Sequence, residues 1–360
     1  MKFPIEQTFK LTDNFLEKYK NKRPDFGFNG LGEFVYLRTY SRIKEDGKNE
    51  MWWETVKRVV EGVYAIQKQH IDDYALGWNQ TKAQKSAQEM YDRIFTFKML
   101  PAGRSLWSMG APVVMEKGLT QSLYNCSFLS TENIKDDPGK PFANAMDFLM
   151  CGIGVGADLV GANKIKVHEP EKKTYTYQIP DTREGWVESL YRLINSYFGE
   201  EEVFFDYSLV RKEGLPIKNF GGTASGPAPL KELHEKVRII LSDRIGNNLT
   251  ATDITDIFNL IGKCVVAGNV RRSAEIILGN PDEEFLDLKD YEKHPERAGH
   301  GWASNNSIFA ELGMDYSNIS ERIKNNGEPG VLWLGNAQKY GRMIETEANY
   351  KDFRVKGLNP

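Results

Sequence analysis

The residues with most chemistry to offer are the cysteines, of which the chain has three. Cys126 stands in Ser122-Leu123-Tyr124-Asn125-Cys126-Ser127-Phe128, after the proline- and glycine-broken run Leu100-Pro101-Ala102-Gly103-Arg104-Ser105-Leu106-Trp107. In a reducing compartment a cysteine is either a small core residue or a reactive thiol. The polar neighbours Asn125 and Ser127 are odd for a plain core strand, and they point to a strand end facing a polar pocket. Cys151 opens Cys151-Gly152-Ile153-Gly154-Val155-Gly156. Alternating glycines serve either a tight packing turn or a backbone that approaches a phosphate or substrate. They do not fit the GxGxxG spacing of a dinucleotide fingerprint. Cys264 lies inside an apolar helical stretch and is assigned to the core.

Three further runs carry binding chemistry. Phe220-Gly221-Gly222-Thr223-Ala224-Ser225-Gly226-Pro227-Ala228-Pro229-Leu230 precedes a helical stretch, as an anion cradle or a flexible linker would. Gly268-Asn269-Val270-Arg271-Arg272-Ser273-Ala274-Glu275 joins a helix to a strand. Its adjacent arginines either grip phosphate or carboxylate or are solvated. Trp302-Ala303-Ser304-Asn305-Asn306-Ser307 puts amides at a strand start, for a ligand or for turn capping. There is no CxxC, and the five histidines are scattered, so no metal site is expected. His168, His234, His294 and His300 have no triad-like context, which disfavours a Cys–His hydrolase.

These residues must be positioned by recognisable elements. Val56, Val59, Val60 and Val63 repeat with helical spacing, as do Met90, Ile94 and Phe97, with Thr81 as the expected N-cap and Pro101 as the stop. Residues 1–100 therefore read as a helical region, in which Trp52, Trp53, Tyr64 and Trp78 are packing residues. Beyond 100, strands are expected at Tyr124–Leu129, Ile153–Leu159, Val203–Tyr207, Glu275–Leu278, Asn306–Ala310 and Val331–Leu334. Helices are expected around Phe142–Leu149, Trp186–Tyr197 and Ile254–Val265. The alternation implies a parallel α/β architecture. Asp282–Arg297 is strongly charged and reads as a solvated surface segment.

The bulk numbers exclude little. A formal net charge of −3 gives no global signal for nucleic acid, and none is expected as a partner. No apolar run approaches the ~20 residues of a membrane span, and no signal peptide is evident. A cytoplasmic location without membrane association is expected.

Taken in order, Leu-Pro-Ala-Gly-Arg-Ser-Leu-Trp, Asn-Cys-Ser-Phe, Gly-Ile-Gly-Val-Gly, Gly-Gly-Thr-Ala-Ser-Gly-Pro, Gly-Asn-Val-Arg-Arg-Ser-Ala-Glu and Trp-Ala-Ser-Asn-Asn-Ser resemble the adenosylcobalamin-dependent (class II) ribonucleotide reductases. The monomeric type acting on ribonucleoside triphosphates is most similar, over roughly residues 90 to 360. The resemblance implies the first half of a ten-stranded α/β barrel at 101–360, after the helical region 1–100. An insertion near 170–250 would contribute the effector site.

In that family a cysteine thiyl radical, generated by the cofactor, removes the ribose 3′-hydrogen. A glutamate acts as acid/base in the loss of water, and two more thiols supply the electrons and close to a disulfide. By this resemblance Cys126 is one thiol of the reducing pair. Asn125, Ala102, Gly103 and Gly152 line the substrate site, and Asn359 hydrogen-bonds the substrate hydroxyls. Arg271 and Arg272 lie on the loop linking a dNTP or ATP effector to substrate choice. The implied reductant is thioredoxin-type or a dithiol. The radical cysteine, the glutamate, the second thiol and most of the adenosylcobalamin site are expected beyond Pro360. The chain is thus expected to need a C-terminal half, as a split gene, an intein flank or a truncation would leave it. A different class, a non-catalytic nucleotide-binding module, is the competing expectation.

Overall fold

The computed structural model describes residues 4–215, 223–267, 274–341 and 351–360. They form two compact units, Met1–Asn125 and Cys126–Pro360. The division falls between the asparagine and the cysteine of the Asn-Cys pair.

The first unit is helical: α1 (Asp13–Lys20), α2 (Leu31–Thr39), α3 (Trp52–Asp73), α4 (Gln80–Phe95), α5 (Gly103–Ser108) and α6 (Pro112–Met115). Val56, Val59 and Val60 of α3 are buried against Ala87, Tyr91 and Ile94 of α4, as the helical spacing requires. The cap of α4 is Asn79 and not Thr81. Its side chain accepts from the Lys82 amide, which a residue inside the first turn is not placed to do. Phe97 lies past the helix end at φ 57° and stacks on Trp52 at 5.1 Å. Trp52 is buried and donates to the Phe95 carbonyl oxygen at 3.1 Å, so the packing role expected of it holds.

The second unit holds a five-stranded sheet of order β1-β2-β5-β6-β7, with every pairing parallel. The strands are β1 (Cys126–Leu129), β2 (Gly154–Asp158), β5 (Glu275–Gly279), β6 (Ser304–Phe309) and β7 (Gly330–Leu332). Helix α7 (Lys140–Met150) crosses from β1 to β2, and α10 (Ala251–Val266) leads back to β5. Between β2 and α10 lie β3 (Glu171–Gln178), α8 (Arg183–Ser196), β4 (Glu201–Asp206) and α9 (Ala228–Asp243), with β3 and β4 forming their own parallel pair. Helix α11 (Glu283–Asp287) follows β5, α12 (Ser317–Asn326) follows β6, and α13 (Leu334–Tyr340) follows β7.

One face of the sheet is buried under helices. Leu129, Val155, Ala157, Ile277 and Ile308 join Phe142, Met146, Leu149, Ile254, Phe258 and Ile261 in one core. Strand β3 escapes the sequence pattern because its side chains are almost all exposed and include consecutive lysines.

The charged segment 282–297 is not uniformly solvated. Lys289 and Arg297 are buried. Lys289 donates to the carbonyl oxygens of Gly301 and Ser304, and Arg297 to that of Leu288 at 2.9 Å. Charge alone marks such residues as surface; here backbone acceptors and Asp256, 2.6 Å from Arg297, make burial tolerable. No helix among the described residues is long and apolar enough to cross a membrane.

Candidate active site

Cys126 is the first residue of β1 and pairs with Gly154 of β2. Period-2 alternation then assigns the faces. Leu129, Val155 and Ala157 point to the helices, so Cys126, Phe128, Gly154 and Gly156 share the opposite, inner face. The chain end runs along that face. The Cys126 thiol donates to the Pro360 carbonyl oxygen at 2.9 Å. A Cβ on Gly156 would lie 2.8 Å from the Phe128 ring and 3.1 Å from the Asn359 Cα, and closer still to the Leu358 carbonyl oxygen. A Cβ on Gly357 would lie 2.6 Å from Leu278 of β5 and would strike the Phe128 ring.

The alternating glycines therefore do separate jobs. Gly152 sits at φ +75° directly after the C-cap of α7, where its amide donates to the Leu149 carbonyl oxygen at 2.8 Å. This is a left-handed turn that ends a helix. Gly154 and Gly156 leave a side-chain-free track on which the segment 357–360 rests. The structure thus brings Cys126 and Asn359, two of the expected site residues, onto one face.

Within the first unit, Asn125 is exposed, and its side-chain oxygen accepts from Arg104 at 3.0 Å. Ala102 precedes α5, and Gly103 opens it. A Cβ on Gly103 would meet the Tyr40 hydroxyl at 2.9 Å, so this glycine admits the tyrosine ring. Helix α5 itself is held by Arg58 of α3, which donates to the Leu106 carbonyl oxygen at 2.7 Å. Arg42 donates to the Trp107 carbonyl oxygen at 3.1 Å and lies over its ring at 4.5 Å. Arg58 and Gly357 were not singled out from the sequence, and Arg104 and Phe128 stood there only as members of longer runs, whereas Gly156 was noted among the alternating glycines. The glycine alternation carried the one available signal, since period 2 on a strand empties a single face.

Arg271 and Arg272 lie outside the described residues, as do Phe220, Gly221 and Gly222. Glu275, which follows the arginine loop, is buried on the helix face, where a Cβ on Gly262 of α10 would come within 2.7 Å of its carboxylate. The amide run at 304–307 is partly structural. Asn259 of α10 donates to Ser304 at 2.9 Å, and Ser304 donates to Asn306 at 3.0 Å, all three buried. Cys151 and Cys264 are buried, and burial pushes the Cys264 thiol up to about 12, so it is inert at neutral pH. Among the described residues no disulfide joins the three cysteines.

His234 does have a hydrogen-bonded context. It is buried between Tyr207, 2.8 Å from Nδ1, and Ser189, 3.1 Å from Nε2. Ser189 in turn donates to the Trp186 carbonyl oxygen at 2.7 Å. Burial, assisted by Arg238, pushes the imidazole down to about 3, so it is neutral and ties α8, α9 and the residue after β4 together.

Comparison with known proteins decides what this arrangement belongs to. The family profile "Ribonucleotide reductase alpha domain" matches residues 11–111, and "B12-dependent ribonucleotide reductase, insertion domain" matches residues 155–241. A probable adenosylcobalamin-dependent ribonucleoside-triphosphate reductase of Dictyostelium discoideum is 51% identical over 98% of this chain. The adenosylcobalamin-dependent ribonucleoside-triphosphate reductase of Euglena gracilis is 49% identical over 99% of it. The crystal structure of a B12-dependent (class II) ribonucleotide reductase superposes on 98% of the chain at a TM-score of 0.81 and 30% identity. The chain belongs to the class II ribonucleotide reductase family. It spans about half the length of the relatives it matches, 49% and 50% of the first two, and 56% of the chain in the crystal structure. In this family setting the five parallel strands are half of a barrel, and β3, α8, β4 and α9 fall within or overlap the insertion match.

Proposed function

We propose that this chain forms one wall of a substrate pocket in which a ribonucleoside triphosphate is reduced to its 2′-deoxyribonucleotide by thiyl-radical chemistry. The observation that carries the reading is the meeting of the Cys126 thiol with the Pro360 carbonyl oxygen, with Asn359 one residue away on the same inner face.

The chemistry needs such a meeting. The reaction replaces a C2′ hydroxyl by hydrogen and releases water, and two thiols give up two electrons and two protons as they join in a disulfide. One thiol must therefore reach the ribose while remaining able to find a partner sulfur. Cys126 is partly exposed at a strand terminus, whereas Cys151 and Cys264 are buried. Asn359 offers an amide that donates to one ribose hydroxyl and accepts from another. Ala102, Gly103, Asn125 and Gly152 are proposed to line the pocket, and Arg271 and Arg272 to form the loop that reads a dNTP or ATP effector. The effector itself would be held by the insertion near 170–250. The remaining partners are a C-terminal half bearing the radical cysteine and a thioredoxin-type or dithiol reductant, in the cytoplasm.

Adenosylcobalamin is the family's radical source. Beside Cys126 the inner face is taken by 357–360, which leaves no room for the group at that place. Its binding is assigned mainly to the C-terminal half.

The test mixes this chain with a polypeptide carrying the remainder of the protein, adenosylcobalamin, a ribonucleoside triphosphate and a dithiol. Deoxyribonucleotide is the expected product. Absence of product, together with dNTP binding by this chain alone, would instead establish a non-catalytic nucleotide-binding module.

A further inference from the structure

The inner face of the sheet carries a feature that the reductase reading does not use: it is shaped for one particular backbone. Side chains on a parallel strand normally fill the space above the sheet. On β2 two of the three inner positions, Gly154 and Gly156, have none. The two are not equivalent. A Cβ at Gly156 would enter the Phe128 ring at 2.8 Å and the Asn359 Cα at 3.1 Å, and would overlap the Leu358 carbonyl oxygen. A Cβ at Gly154 would stand 3.4 Å from Pro360 Cγ and 3.4 Å from the Ala274 carbonyl oxygen, an ordinary contact. Neither glycine has a positive φ, so space and not backbone conformation is what their lack of a side chain provides. The segment answers in kind. Gly357 passes between Phe128 and Leu278 where a Cβ would come within 2.6 Å of Leu278 and collide with the ring.

We propose that Gly156 and Gly357 are positioning residues: together they form a side-chain-free seat that fixes 357–360 against β1 and β2 and so holds Asn359 beside Cys126. Pro360 has no N–H to join a ladder. The segment is thus held by close packing at the two glycines and by the thiol hydrogen bond at its end. Its consequence for turnover rests on the reductase reading above; the seat itself does not.

The test compares Gly156→Ala, Gly357→Ala and Gly154→Ala in this chain. The readout is the rate at which iodoacetamide alkylates Cys126, followed by mass spectrometry, with the buried Cys151 and Cys264 as internal references. Lifting the segment uncovers the thiol, so Gly156→Ala and Gly357→Ala are expected to raise the Cys126 rate about tenfold, as local opening does, while Gly154→Ala stays within about twofold. Gly357 lies outside the sheet, so its variant reports on the seat even where Gly156→Ala disturbs folding. Unchanged alkylation in Gly357→Ala, or equal effects at Gly154 and Gly156, would overturn the proposal. In the completed enzyme, Gly357→Ala is expected to lower kcat with effector binding retained. Normal kcat in a variant whose Cys126 is uncovered would overturn the positioning role. A wild-type mixture without turnover would sink the reductase reading but leave the alkylation result to decide the seat.

Discussion

The thiol of Cys126 and the carbonyl oxygen of Pro360 are 2.9 Å apart, although 234 residues separate them in the chain. A residue attached after Pro360 would therefore start beside that thiol. In the proposed chemistry this puts the segment that follows Asn359 directly next to a reducing sulfur. Replacing Cys126 by Ser keeps a hydroxyl donor for the Pro360 carbonyl but removes the sulfur that must close to a disulfide. We expect Cys126→Ser in the completed enzyme to reduce dithiol-driven turnover by about a thousandfold, as loss of an essential reacting group does. Effector binding by the variant should be unaltered. Repeated turnover at near wild-type rate would show that another thiol does this work.

The first unit turns on a different pair. Arg58 of α3 bonds Glu50 at 2.8 and 2.9 Å and also caps the carbonyl oxygen of Leu106, with all these groups largely buried. Burial pushes the Glu50 carboxyl up, but Arg58 and Thr55 more than offset this and hold it below its ordinary value. Arg58→Met leaves a buried carboxylate without its cation and should cost about 3–5 kcal/mol in urea unfolding. Adding Glu50→Gln should recover part of that loss. The ion pair's contribution is fully present above about 4.5, Glu50's ordinary value, and is lost as pH falls below it, because the unfolded chain takes up that proton first. An Arg58→Met variant as stable as wild type at pH 7 would remove the pair from the account of this unit.

How much of this was legible beforehand depends on what each residue contacts. Val56, Val59, Val60, Phe142, Met146 and Ile254 announce their helices because one apolar face meets one core, which is a local pattern. The sheet strands were legible in part for a similar reason: Leu129, Val155, Ala157, Ile277 and Ile308 are apolar and face the helices, although Glu275, Ser304 and Asn306 share that face. Strand β3 was not, since its exposed lysines and threonines carry no burial signal. Lys289 and Arg297 misled because charge predicts solvent, while the Gly301 and Ser304 carbonyl oxygens that accept from Lys289 and the Asp256 carboxylate that pairs with Arg297 lie outside that segment. At the site, Cys126 and Asn359 were legible as residue types in a family order. That Gly156 exists to admit Leu358 and Asn359 was not, because the contact joins the first inner strands to the far end of the chain.

His234 gives the insertion a built-in acid sensitivity. Its ring is buried between Tyr207 and Ser189, and burial pushes its pKa from 6.5 down to about 3. The folded state therefore refuses a proton that the unfolded chain accepts. Stability from this site is complete above about 6.5 and drains away as pH falls toward 3. His234→Gln keeps hydrogen-bonding groups but does not titrate. It should be less stable than wild type at pH 7.5 by about 1–2 kcal/mol, and that gap should shrink on acidification because only the wild type loses this term. Urea midpoints from pH 7.5 to 4 check it; a gap constant with pH would mean that His234 is not the titrating group.

The sheet has one further consequence for this chain in isolation. Strand β1 pairs only with β2 and β7 only with β6, so each leaves an edge of unpaired backbone groups among the described strands. On the inner face Phe128 and Leu278 are covered by Gly357, while Asn305 and Ser307 stand in register with Ile276 and Leu278. In a closed barrel both edges would be paired. Without that closure, edge-to-edge pairing with a second copy is the cheapest way to satisfy them, since β1 and β7 carry no charged residue or proline to prevent it. We expect the isolated chain to form dimers or larger species at micromolar concentration in sedimentation velocity. Adding the C-terminal half should convert them to a defined complex. A monodisperse monomer with a single sharp unfolding transition would show that the half-barrel protects its own edges.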